Sequence, residues 1–118
     1  MADKFTIRQG DRRPWIAYQF GFDLTDALSV TFSLRDQSGG TVFIDNEAAV
    51  IADGTYDING VATPLTPASG VVFYPWAAGD TDTARQSCMG LFHVLWPGNL
   101  PETLPSQGFI PVVIGENF

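Results

Sequence analysis

LSVTFSLR, residues 28–35, alternates without a break. Val30, Phe32 and Leu34 fall on one side; Ser29, Thr31, Ser33 and Arg35 fall on the other. A period of two makes this a strand with one buried and one wet face. The same period runs outward from it. Residues 15–22, WIAYQFGF, place Ile16, Tyr18, Phe20 and Phe22 together. Residues 90–96, GLFHVLW, place Phe92, Val94 and Trp96 opposite Leu91, His93 and Leu95. Residues 109–114, FIPVVI, place Ile110, Val112 and Ile114 together. Shorter strands fit 4–9, 41–45, 48–52 and 71–76.

Helix signals are nearly absent. Twelve glycines and eight prolines interrupt any run long enough for a helix. Residues 80–86, DTDTARQ, form a loop with at most one helical turn. The turns agree with a strand plan. Gly10-Asp11 separates the first two strands, and Ser38-Gly39-Gly40 marks a hairpin. Asn59-Gly60 marks a small extra hairpin. Residues 64–70 form a Pro-rich loop. Residues 97–108, with Pro97, Pro101 and Pro105, are expected to be the longest loop, stiff and extended. Pro111 lacks a backbone donor and belongs at an edge or bulge.

Seven or eight short strands in 118 residues imply a single all-β domain over 1–118, an antiparallel β-sandwich, with a barrel as the alternative. Its expected core is Ile7, Ile16, Tyr18, Phe20, Val30, Phe32, Leu34, Val50, Tyr74, Phe92, Val94, Ile110 and Val112.

The formal net charge is −7, unevenly spread. Residues 1–13 hold Lys4, Arg8, Arg12 and Arg13 against Asp3 and Asp11. The remainder holds only Arg35 and Arg85 against eleven acids. Such a chain repels phosphate backbones, so no nucleic-acid partner is expected. Cys88 is the only cysteine, which excludes an internal disulfide and suggests a small buried hydrophobe. No apolar run approaches a membrane span, and MADKFTIRQ is no signal region. The expectation is a soluble protein made in a cytoplasm, with no membrane partner.

Catalytic and metal readings are weak. The acid pairs Asp80/Asp82 and Asp23/Asp26 sit beside turn residues, where Asp bonds the backbone. Asp80-Thr81-Asp82 lacks the length and glycine of a calcium loop. His93 stands mid-strand without metal-ligating partners. Five residues from Cys88, it points to the opposite face, which argues against a thiol–imidazole pair. No enzyme activity, cofactor or metal is expected. The tryptophans are better candidates. Trp15 alternates away from Ile16, Trp76 shares a face with Tyr74, and Trp96 ends a strand. At least one is expected in the core, and exposed aromatics among few charges suit a permanent interface. Stacking of a sugar is the competing use.

The order of residues along the chain resembles the immunoglobulin-like module at the N-terminus of baseplate upper proteins of tailed phages, also found in other small phage virion proteins. The resemblance is carried by Ile7-Arg8-Gln9-Gly10-Asp11, Pro14, Asp23-Leu24-Thr25-Asp26-Ala27, Val30, Phe32 and Leu34. It continues through Gly39-Gly40, Ala49-Val50, Val71-Val72-Phe73-Tyr74-Pro75-Trp76, Gly79-Asp80-Thr81, Gly90, Phe92 and Val94. It closes on Pro101-Glu102-Thr103, Pro105, Gly108-Phe109-Ile110 and Val112-Val113-Ile114. Two departures stand out: residues 53–65 read as an insertion, and Arg12-Arg13 replace small or polar residues.

The resemblance implies a structural virion role with no catalytic residues. With nothing after Phe118, it implies a stand-alone decoration, cement or adaptor subunit present in many copies, on capsid or on tail and baseplate. Its partners would be other virion proteins and identical copies. The expected interface residues are Arg8, Gln9, Asp11, Arg12, Arg13, Trp15, Trp76 and Trp96, with the first turn docking on an acidic patch. The alternative is a carbohydrate-binding module on the virion surface, recognising a host glycan.

Overall fold

A computed structural model describes residues 4–20, 22–37, 40–58, 60–105 and 108–117. Among them the chain forms eleven strands and one short 3-10 turn. In order these are β1 (Phe5–Arg8), β2 (Ile16–Gln19), β3 (Ser29–Asp36), β4 (Val42–Ala48), β5 (Val50–Ile51), β6 (Gly54–Ile58) and β7 (Val61–Leu65). After the turn at Pro67–Ser69 come β8 (Val71–Tyr74), β9 (Arg85–Trp96), β10 (Leu100–Leu104) and β11 (Ile110–Gly115). The strand count exceeds the expected seven or eight because the small hairpin β6-β7 and the strand β10 add three.

The larger sheet runs β1-β11-β9-β3-β4, with β10 also on β9. The smaller runs β2-β8-β5, and β6-β7 form a separate hairpin. The alternation of LSVTFSLR is realised in β3: Val30, Phe32 and Leu34 are buried and their neighbours are not. β3 pairs with β9 along its whole length, from Ser29↔Leu95 to Asp36↔Cys88. Phe32 is the hub of the core. Its ring stacks on Tyr74 of the smaller sheet at 4.7 Å and meets Phe92 at 4.9 Å. Tyr18 of β2 faces Phe92 across the same core at 6.2 Å. Side chains of both sheets thus fill one core.

One segment serves both sheets. β4 pairs with β3, and its register slips around Asn46, which has φ 50°. Asn46 N–H donates to Ser33 Oγ at 3.0 Å, and Ala49 N–H to the Val30 carbonyl at 3.0 Å. The chain then crosses over, and β5 pairs with β8. A bulge supplies the bend that such a crossing needs.

Five expectations are corrected. The sheet is not wholly antiparallel, because β1 lies parallel to β11 with Phe5↔Val112 and Arg8↔Gly115 in register. Residues 97–108 are not one extended loop. Gly98 and Asn99 both have positive φ, 84° and 61°, which is the geometry of a tight hairpin turn. Residues 100–104 therefore fold back on β9 as β10. Pro101 is tolerated there because β10 is an edge. β9 starts at Arg85, inside the segment read as a loop. Val50 leaves the core: it is 41% exposed, paired with outward-facing Phe73. Tyr18 is only half-buried, packed on the core's rim. Pro111 does lie at an edge position, since β1 pairs with β11 only from Val112 onward. The hairpin at Asn59-Gly60 forms as β6-β7, although Asn59 lies outside the described residues, as do Ser38 and Gly39.

Candidate functional site

The cationic first turn is fastened to its own domain. Gly10, with φ 82°, donates its N–H to the Thr81 carbonyl at 2.9 Å. Thr81 is buried, and its hydroxyl donates to the Asp11 carbonyl at 2.7 Å. Gln9 Nε2 donates to the Asp82 carbonyl at 2.7 Å. Arg8 Nη1 reaches the Glu116 carbonyl at 2.9 Å, and Arg12 Nε reaches the Trp76 carbonyl at 3.0 Å. Two motifs far apart in sequence, Gln9-Gly10-Asp11 and Gly79-Asp80-Thr81, are one interlocked unit. Two of the four cations at the chain's start, Arg8 and Arg12, meet backbone carbonyls of other segments. Arg13 is different: it has no polar partner among the described residues.

Of the acid pairs Asp80/Asp82 and Asp23/Asp26, one carboxylate of each shapes a turn. Asp80 Oδ2 accepts from the Tyr74 hydroxyl at 2.5 Å and from Ala77 N–H at 2.8 Å. Burial first, then the Asp80 carboxylate, holds the Tyr74 phenol far above its ordinary value. Asp23 accepts from both the backbone and the hydroxyl of Thr25, which lowers its pKa. Among the described residues no group of three or more His, Cys, Asp or Glu is placed to hold a metal.

Cys88 is buried in the core, and burial pushes its thiol up to about 11. A thiol with so little thiolate is a poor nucleophile. His93 stands on the other face of β9, its Nδ1 3.1 Å from Thr103 Oγ1. Desolvation lowers the His93 pKa from 6.5, and the Asp45 carboxylate works in the opposite direction. As pH falls below about 6.5, the unfolded chain takes up this proton first, so stability falls with pH in that range. In an NMR titration His93 is expected to titrate below 6.5, and Asp45→Asn to lower its midpoint further. A midpoint at or above 6.5 would show that the imidazole is more solvated than this face allows.

The three tryptophans occupy three different environments. Trp76 is 2% exposed, and its indole Nε1–H donates to the Pro14 carbonyl at 3.0 Å. It is a core residue, so its expected place at an interface is corrected. The parity it shares with Tyr74 carries it inward.

Trp96 ends β9 and is partly buried against the core. Its Nε1–H donates to Glu102 Oε1 at 2.9 Å, and its ring meets Phe22 at 5.9 Å. Leu100 is its register partner on β10. Leu28 sits one position before the Ser29↔Leu95 pair, opposite Trp96. By parity Leu28, Trp96 and Leu100 share the core-facing side of the sheet. Yet Leu28 is 63% and Leu100 62% exposed. They form an apolar ledge with Phe22.

Trp15 is 40% exposed and opens a groove of about 410 Å³ on the outer face of the smaller sheet. Its ring meets Phe73 edge-on at 6.1 Å, and Tyr56 lies against the other part of Phe73 at 4.9 Å. Arg13, Thr55 and Asp57 complete the lining. β6 therefore supplies one wall, so the segment read as an insertion builds the groove. The Tyr56 hydroxyl is held by Asp53 N–H at 3.1 Å. Sequence reasoning found Arg13 and Trp15 but missed Tyr56, Asp57 and the ledge leucines.

No family model matches the chain, and no curated protein is significantly similar to it.

Proposed function

We propose that the chain is a structural component of a tailed-phage virion. It acts as an immunoglobulin-like sandwich that decorates, cements or adapts the particle by binding neighbouring virion proteins and further copies of itself. The observation that carries this reading is the ledge of Phe22, Leu28, Trp96 and Leu100. Two leucines more than 60% exposed beside a large aromatic are an unusual surface for a free monomer. Burying them against a neighbour removes apolar area from water, which drives association. The residue order shared with phage modules supports the particle as the setting. The interlock of the first turn with Thr81 supports it further, since both resembling motifs serve one rigid corner.

The role requires no catalysis. Asp80 and Asp23, one acid of each candidate pair, are engaged in turns. Among the described residues no helix is long and apolar enough to cross a membrane.

The test is mass spectrometry of gradient-purified particles, with immunogold labelling to place the chain. Stoichiometric presence in the particle is expected. Gold on the head indicates decoration or cement, and gold on the tail indicates an adaptor. Absence of the chain from purified particles overturns the reading. A Leu28→Glu/Leu100→Glu variant is expected to fold and fail to join the particle.

A further inference from the structure

We infer that the groove between Trp15 and β6 is a binding site for a neutral pyranose unit of a glycan. This goes beyond the structural role and does not rest on it.

The floor of the groove is aromatic. Phe73 meets both Trp15 and Tyr56, with ring centroids at 6.1 and 4.9 Å. A row of rings offers the electron-rich surface against which the C–H face of a sugar ring packs. The rim is polar in a particular way. Arg13 is a donor-only group, and Asp57 is an acceptor-only group. Neither has a polar partner among the described residues, and both line the groove. A ligand that satisfies both must donate and accept from adjacent positions beside an apolar face. Vicinal hydroxyls on a pyranose do this.

The indole donors sharpen the argument. Trp76 Nε1–H is taken by Pro14 and Trp96 Nε1–H by Glu102. The Trp15 Nε1–H has no acceptor among the described residues, so it remains available to a ligand oxygen.

Other ligand classes fit less well. A nucleotide phosphate or an acidic sugar would meet Asp57 on a chain of net charge −7. An apolar peptide would cover Arg13 and Asp57 without pairing them, which is costly for charged groups. A volume of about 410 Å³ lies within the range of small-molecule sites, roughly 300–1,000 Å³.

The experiment is an NMR titration of the chain with the methyl glycosides of glucose, galactose, mannose, N-acetylglucosamine and N-acetylgalactosamine, following the three indole N–H resonances. At least one glycoside is expected to shift the Trp15 resonance saturably, with a millimolar Kd, and to leave Trp76 and Trp96 unmoved. Trp15→Ala and Arg13→Ala should each weaken that binding at least about tenfold, with circular dichroism unchanged. The inference is overturned if no glycoside moves Trp15, if Trp96 moves in its place, or if folded Trp15→Ala binds as well as the parent. The parent titration decides the matter even if a variant fails to fold.

Discussion

Trp76→Ala is expected to destabilise the fold by about 3–5 kcal/mol, whereas Trp15→Ala costs under about 1 kcal/mol. The contrast follows from where the two rings lie. Trp76 is 2% exposed and Trp15 40%. The Trp76 ring stacks on Phe5 at 6.0 Å and meets Tyr74 and Phe32 edge-on at 5.4 and 6.2 Å. It ties β1 and the end of β8 to the centre of the core. Truncation leaves a cavity among three rings and strips the Pro14 carbonyl of its indole donor. Each aromatic pair adds about 0.5–1.5 kcal/mol beyond area burial, so the upper part of the range is expected. A domain of this size is stable by roughly 5–15 kcal/mol, so the variant sits near the edge of folding. Urea unfolding should show a much lower midpoint with an unchanged slope. Equal midpoints for the two variants would contradict the assignment of Trp76 to the core.

Trp76 also shows how far the sequence carries. Its parity with Tyr74 was legible and correct; only the inference from residue type to interface failed. β3 was legible in full, because one of its faces is dry and the other wet, and a slip of one residue would reverse them. β10 was obscured by its prolines. They read as the mark of a stiff, extended loop, although an edge strand tolerates them and Gly98-Asn99 is itself a hairpin signal. The parallel pairing of β1 with β11 joins the two ends of the chain, and nothing local to either strand encodes its direction.

The candidate sites divide in the same way. Arg13 and Trp15 are visible as an unusual cation and an outward ring. Tyr56 and Asp57 join them only through the packing of β6 beside β8, which no spacing reveals. The ledge was hidden for another reason. Leu28 and Leu100 have core parity yet are more than 60% exposed, and parity alone does not tell how far a core extends. In space Arg8 and Arg12 go to separate carbonyls, and Arg13 goes to the groove.

Gly70→Ala is expected to cost roughly 2–5 kcal/mol, and Gly40→Ala about 1–2 kcal/mol. Both glycines have positive φ, 71° and 69°, so an alanine at either one carries the left-handed penalty. Their surroundings differ. A Cβ at Gly40 meets nothing within 4 Å, whereas at Gly70 it falls 2.8 Å from the Phe20 carbonyl oxygen and nearer still to that of Phe22. Both obstacles are backbone, so a rotamer change cannot relieve the clash. The strand end must move instead. Phe20 N–H donates to the Gly70 carbonyl at 2.6 Å, which extends the β2-β8 pairing past Gln19, and that bond is the first to be lost. Phe22 carries the strain onward, because its ring rests on Phe20 at 5.5 Å and on Trp96 at 5.9 Å. The Trp96 indole resonance is therefore expected to shift in Gly70→Ala and stay in place in Gly40→Ala. The difference in unfolding free energy between the two variants isolates the steric part, about 1–3 kcal/mol. Equal costs with an unmoved Trp96 would mean that Phe20 and Phe22 do not lie against Gly70, and the ledge would lose its support from beneath.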